Sequence, residues 1–255
     1  MNKLIKKLLN VFGYRLIRGH DYDKLVYSGK FRPQTRPMDV LTAIDLKKSL
    51  LISEDKPVIF DVGAYIGQTV SDYLASFPGA RIYAFEPTPV SFAQLKNRFN
   101  VNEQVKCENL AISDTSGHIP FHFNEFSPTN SLLSSDEDAD KYWGHELLKT
   151  VETVTVQSMP LDEICHRENI NHIDILKLDV QGAELNVLHG AKNLLDKKRI
   201  SIIYLEVIFV PTYNDQAVHF EIEQFLSDKG YVLYGLFNLT YDKRLKQADM
   251  LFYLE

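Results

Sequence analysis

From Pro57 onward, short runs of Val, Ile, Leu and Phe alternate with stretches whose apolar residues recur every three or four positions, and this alternation most restricts the fold. Strand-like runs fall at 58–62, 81–85, 105–112, 173–178 and 200–207; helical spacing appears at 67–77, 91–99, 161–168, 183–195 and 216–228. Strands joined through helices pair in parallel, because the helix carries the chain back across the sheet. The segments at 58–60, 173–178 and 202–205 are apolar or nearly so, as central strands buried on both faces require. Two closing strands at 231–236 and 249–254 bring the expected sheet to seven. The reading is an α/β domain, mostly parallel, with helices on both faces.

One stretch interrupts the rhythm. Segments 119–123 and 151–156 alternate as half-buried strands do, and the polar residues between them include Ser127, Pro128, Thr129, Asn130 and Ser131. An inserted hairpin with a long loop is expected over about 117–158. Ahead of the domain, Leu4, Leu8 and Phe12 share one face of a helix whose other face is lysine-rich. A connector at 31–37 and a helix at 40–51 follow, so the organisation reads as a helical arm at 1–54 and a catalytic-sized domain at 55–255.

Charge and cysteine content exclude several function classes. The chain carries a net charge of −6 although residues 1–20 hold five basic residues and no acid, so the body is more acidic than the whole. Without a Lys/Arg stripe the body is a poor partner for nucleic acid. The basic arm suits either an anionic membrane surface or, as its more ordinary use, docking on its own domain or a partner subunit of a homo-oligomer. No stretch reaches the length of a membrane span, and Lys6, Lys7, Asn10 and Arg15 break the apolar run a secretory signal needs. Cys107 and Cys165 lack disulfide or zinc-ligand spacing, which fits a reducing cytoplasm, at most peripheral to the inner membrane face.

Three strand ends carry the chemistry. The first, Val58-Ile-Phe-Asp61-Val-Gly63-Ala64-Tyr65-Ile-Gly67-Gln68-Thr69, is a strand ending in an acid and a glycine turn leading into a helix. It lacks the third glycine of a dinucleotide fingerprint, and Asp61 suits a cationic ligand better than a pyrophosphate. Such a turn alone also serves plain strand-to-helix junctions. In the second, Phe85-Glu86-Pro87, an acid about 20 residues beyond the glycines stands where a ribose partner is expected. Alone, Glu86 would equally suit the start of the next helix. The third, Leu176-Lys177-Leu178-Asp179-Val180-Gln181-Gly182-Ala183-Glu184, again ends a buried strand in an acid and a glycine turn. Asp61, Glu86, Asp179 and Glu206 therefore all fall on the carboxyl rim where open α/β sheets bind ligands. Glu184 reads as a helix-start acid and Lys177 as a solvated or snorkelling side chain.

Together with Asn109-Leu-Ala111-Ile-Ser113 and Tyr204-Leu-Glu206, these segments resemble the FkbM-type methyltransferase family over about residues 55–254. The third segment is the most specific, although the family usually shows Glu where this chain has Gln181. The resemblance implies a seven-stranded class I methyltransferase (Rossmann-like) sheet with an antiparallel last strand, S-adenosyl-L-methionine as donor and an alcohol oxygen as acceptor. It implies that Gly63, Ala64 and Gly67, with Tyr65 and Gln68 in the same turn, cradle the donor's amino-acid portion. Thr69 would bond its carboxylate, Glu86 with Pro87 would meet the ribose, and Ala111 would flank the adenine. Asp179 would face the methionine ammonium or the acceptor.

An alcohol attacks well only once its proton is drawn off, and the candidate bases are Asp179 and then Glu206. His118, His122, His145 and His189 are weaker candidates. The run Asp136, Glu137, Asp138 and Asp140 reads as a solvated loop, and no metal site is expected. Phe126, Tyr142 and Trp143 could stack on a sugar ring, but packing of the loop is their ordinary use. The expected acceptor is a glycan hydroxyl, with a polyketide or other small-molecule alcohol as the alternative. A nicotinamide oxidoreductase and a non-catalytic nucleotide-binding or assembly module are the readings outside the class.

Overall fold

The computed structural model describes Lys47 and residues 55–144 and 147–254. The arm at 3–12, the connector at 31–37, the helix expected at 40–51 apart from Lys47, and His145 lie outside the described residues.

Seven strands form the main sheet: β1 Val58–Val62, β2 Arg81–Phe85, β3 Val105–Glu108, β7 Ile173–Leu178, β8 Ile200–Ile208, β9 Tyr231–Tyr241 and β10 Leu245–Leu254. Their order is β3-β2-β1-β7-β8-β10-β9. The first five pair in parallel and β10 runs antiparallel to both its neighbours. This is the mostly parallel seven-stranded sheet with an antiparallel last strand that the resemblance implies. The chain starts in the middle at β1, moves outward to β3 and returns on the other side through β7, so a crevice opens beyond the strand ends between β1 and β7.

Side chains alternate along each strand, and each face of the sheet has its own core. Phe60, Val62, Leu176, Leu178, Leu205 and Val207 project to one side. There they meet α4 Leu161–Arg167, α5 Glu184–His189, α6 Lys192–Asp196 and α7 His219–Asp228 through Leu161, Val187, Leu195 and Ile222. Ile59, Ile82, Ile175 and Ile202 project to the other side, against Val70 and Tyr73 of α1 Gln68–Ser76 and Leu95 and Phe99 of α2 Pro89–Phe99. Burial of these aliphatic side chains, each contributing roughly 1.5–3 kcal/mol, holds the layers together.

Two elements differ from the sequence expectation. The strand expected at 105–112 breaks after β3, because Asn109 Nδ2 donates to the main-chain oxygens of Glu86 (2.8 Å) and Pro87 (2.9 Å) and turns the chain. The next pair, β4 Ala111–Ile112, leaves the main sheet and joins a three-stranded sheet of order β4-β6-β5. In that sheet β5 Gly117–Asn124 and β6 Thr150–Met159 form the inserted hairpin, and α3 Asp140–Trp143 lies in the chain between them. The helix expected at 183–195 divides into α5 and α6. Asp162 accepts the free N–H groups of Asn193 (2.8 Å) and Leu194 (3.0 Å) and so starts α6 afresh. Asp162→Ala is expected to cost about 1 kcal/mol, seen as a lower midpoint in denaturant at unchanged slope. No described helix is long and apolar enough to cross a membrane.

Candidate functional site

A cavity of about 430 Å³ opens beyond the ends of β1, β2, β7 and β8 and is roofed by the insertion. Its rim is built from two facing turns. Gly63 takes a left-handed φ of 78°, and a Cβ there would lie 1.8 Å from the carbonyl oxygen of Asp179, so the turns after β1 and β7 meet backbone to backbone only because this residue is glycine. Tyr65, also left-handed at φ 49°, turns its main-chain N–H to Glu86 (2.9 Å) and leaves its half-exposed ring at the mouth.

Glu86 is buried at the cavity wall. Besides the Tyr65 N–H it accepts the main-chain N–H of Thr88 (2.9 Å) and the Thr88 hydroxyl. Burial pushes its carboxyl up from the ordinary value, and these hydrogen bonds pull it back. A carboxylate has about four acceptor positions, so the three donors leave one for a ligand hydroxyl. Leu110, Ala111 and Ile112, delivered by the break after β3, supply an apolar wall beside it.

Asp179 and Glu206 stand on the floor. The Asp179 side chain keeps 39% of its surface exposed. Gln181 Nε2 lies 2.9 Å from Asp179 Oδ1 and 2.6 Å from Glu206 Oε2, and Gln247 donates to the other Glu206 oxygen. Burial, followed by the neighbouring acids Asp179, Glu184 and Asp249, pushes the Glu206 carboxyl well above the usual range, and Lys177 opposes them only in part. Glu184, the first residue of α5, braces the turn by accepting the Val180 N–H (3.0 Å), and burial pushes its carboxyl up to about 7.

Two expectations are corrected. Asp61 does not face the cavity, because it projects to the opposite face of the sheet and is fully buried there. The register sets it beside Lys177, which is buried rather than solvated: its Nζ lies 2.9 Å from Asp61 Oδ1, 3.0 Å from the Gly63 carbonyl and 3.6 Å from Asp179. Burial works against the ammonium, but Asp61 and Asp179 outweigh it and hold the Lys177 pKa above its ordinary value. The row continues into Tyr204, whose hydroxyl donates to Asp249 (2.6 Å), and Lys47, whose Nζ sits 3.5 Å over the Tyr204 ring. Asp61 thus already has its cation.

The cavity brings together Gly63, Tyr65, Glu86, Pro87, Ala111, Asp179 and Glu206. It does not include Ala64, Gly67, Gln68 or Thr69, which lie behind the turn. Ala64 joins the core under α1, Gly67 presses on Leu95 and Phe99, and Gln68 bonds Asp72. His118, His122 and His189 line no part of it. His122 pairs with Thr153 on the hairpin, and His189 packs edge-on against Phe225. Phe126 and Trp143 do line it, and Trp143 also pins the insertion by donating its indole N–H to Thr212 (2.7 Å). Tyr142 packs in the cluster that joins the insertion to Ile208, Val210 and Tyr213, with Arg244 over its ring. The run at 136–140 forms local turns, with Asp138 paired to Lys141. Among the described residues no three His, Cys, Asp or Glu side chains are grouped to hold a metal ion. Sequence reasoning missed Tyr213, Thr212 and Gln247, which reach the cavity from a loop and an antiparallel strand that carry no motif.

The Methyltransferase FkbM domain family matches residues 61–233. The chain belongs to the FkbM methyltransferase family. As such it is an S-adenosyl-L-methionine-dependent methyltransferase. The FkbM relatives to which it is similar include the 2-O-methyltransferase NoeI of Sinorhizobium fredii, 28% identical over 66% of this chain and 68% of that one. The 31-O-demethyl-FK506 methyltransferase FkbM of Streptomyces tacrolimicus is 29% identical over 59% of this chain and 65% of that one. The hexuronic acid methyltransferase AglP of Haloferax volcanii is 28% identical over 59% of this chain and 56% of that one. The residues of this FkbM member suit the cofactor: a glycine turn with no Cβ, a wall carboxyl with an acceptor position to spare, and the apolar stretch Leu110, Ala111 and Ile112 beside it.

Proposed function

We propose that this enzyme methylates a hydroxyl oxygen of a glycan, either a cell-surface polysaccharide or a sugar intermediate. The observation that carries the reading is the position of Asp179. Its main chain touches the glycine turn that bounds the cofactor side, and its carboxyl opens onto the roofed half of the same cavity. When bound, adenosylmethionine supplies a methyl group on a positively charged sulfur, open to attack by an oxygen lone pair. The chain's own task is to hold that oxygen in line and remove its proton. Gly63 and Tyr65 would hold the amino-acid end, Glu86 a ribose hydroxyl and Ala111 the adenine, while Asp179 takes the proton.

The roof supports a sugar acceptor. Phe126 and Trp143 present aromatic surface above a floor of Gln181, Glu206 and Gln247, which pairs a stacking platform with side chains able to bond ring hydroxyls. The name of NoeI specifies an oxygen acceptor and that of AglP a sugar acid, which together agree with the reading. A second reading, a polyketide or other natural-product alcohol, is favoured by the apolar part of the roof, Phe121, Leu132, Leu147 and Leu148, and by the FK506 relative.

The test is transfer of labelled methyl from adenosylmethionine to polysaccharide and sugar-intermediate fractions, set against apolar small-molecule extracts. Label confined to the apolar extracts would reject the glycan. Glu86→Ala is expected to weaken adenosylmethionine binding about tenfold to a hundredfold by calorimetry, as loss of a hydrogen bond to a charged acceptor does. Unchanged affinity would take Glu86 out of the cofactor site.

A further inference from the structure

The turn after β7 is knitted together by hydrogen bonds that converge on Gln181. Gln181 adopts a left-handed φ of 56°, a conformation that residues with a Cβ rarely take, and its side chain returns over Asp179. Its amide nitrogen donates to Asp179 (2.9 Å) and to Glu206 (2.6 Å). Its amide oxygen meets the Tyr213 hydroxyl (3.0 Å), which also lies 2.9 Å from the main-chain oxygen of Thr129 and shares its single hydrogen between the two. The main-chain oxygen of Gln181 accepts the Ser131 hydroxyl (2.7 Å). Tyr213 can lie across the turn only because Gly182 follows, since a Cβ there would come within 2.9 Å of its ring.

Building on the proposed function, we propose that Gln181 is a positioning residue of the reaction centre: one amide hydrogen to Asp179 and one to Glu206 join the two carboxyls into a single proton-accepting unit, tied through Tyr213 and Ser131 to the insertion that roofs the cavity. The chemistry follows from the donor inventory. Two carboxyls this close repel one another when both are ionised, and an amide NH₂ offers each a hydrogen without bringing a charge. A carboxylate at 181 would instead add a fifth acid to Asp179, Glu206, Glu184 of α5 and Asp249 of β10, with Lys177 as the neighbouring cation. Tyr213 and Gln247 complete the groups facing the pair.

Thermal unfolding of the full chain between pH 5.5 and 8.5 tests this with Gln181→Met, which keeps the shape and removes the donors, and Gln181→Glu, which adds a further acid. Donors to a carboxylate stabilise its charged form, and burial pushes the Glu206 carboxyl up, so their loss is felt where Glu206 is ionised and fades as it protonates. The Tm deficit of Gln181→Met against wild type is expected to be about 3 °C larger at pH 8.5 than at pH 5.5, and that of Gln181→Glu larger still. A Gln181→Glu chain that folds only at the acid end supports the proposal. Equal deficits of Gln181→Met at both pH values overturn it, since lost packing alone does not depend on pH. Adenosylmethionine titrated into wild type provides the separate arm: absence of binding overturns the proposed function and its reaction centre, whereas binding with equal deficits overturns the role of Gln181 alone.

Discussion

Lys177→Met is expected to lower the free energy of unfolding by about 3–5 kcal/mol at neutral pH, the usual loss when one member of a buried ion pair is removed. Asp61 is fully buried, and Lys177 is the cation beside it in the register of β1 and β7. Methionine matches the shape of the lysine stem but leaves the carboxylate in an apolar setting. Asp61 can then escape its penalty only by protonating. Its folded pKa, already pushed up by burial, would rise further above the unfolded value, so the deficit is largest at high pH and shrinks as pH falls through that raised folded value. The double variant Asp61→Asn with Lys177→Met, which leaves no charge, is expected to recover part of the loss. Chemical denaturation of the three proteins decides the matter. A single variant within about 1 kcal/mol of wild type would mean that the pair contributes no more than an exposed one.

The same residue shows how far the sequence could be read. The run Ile175-Leu-Lys177-Leu announces a central strand, but a lysine there reads as a side chain reaching for solvent, because strand register is invisible without the partner strand. Once β1 and β7 are paired, alternation alone puts Asp61 and Lys177 on one face, away from the cavity, while Glu86 and Asp179 reach it from the turns beyond their strands. Sheet, crossovers and hairpin were legible because each rests on local periodicity. The breaks at Asn109 and ahead of α6 were not, since each depends on a hydrogen bond across a long stretch of chain, to the Glu86 loop in one case and to Asp162 in the other. The acceptor half of the cavity was the least legible part. Tyr213, Thr212 and Gln247 are ordinary residues given their place by the insertion folding over them.

Asp179→Asn is expected to cut turnover by about 10²–10⁴-fold, the range for loss of a positioned general base, while Glu206→Gln costs less than about tenfold. The difference follows from surroundings. Glu206 is enclosed by Asp179, Glu184 and Asp249, and burial, followed by these neighbours, pushes its carboxyl up and so favours the protonated form, which glutamine mimics. Asp179 has Lys177 3.6 Å away and is exposed to the cavity, where an acceptor hydroxyl can reach it. Binding separates this from a purely cofactor-holding role. A base variant loses kcat at near-normal adenosylmethionine affinity, whereas a residue that grips the methionine ammonium loses affinity as well. A larger loss in Glu206→Gln than in Asp179→Asn would move the proton to the deeper carboxyl. The unit joined by Gln181 would then work in the opposite direction, with Asp179 as the group that repels and Glu206 as the one that accepts.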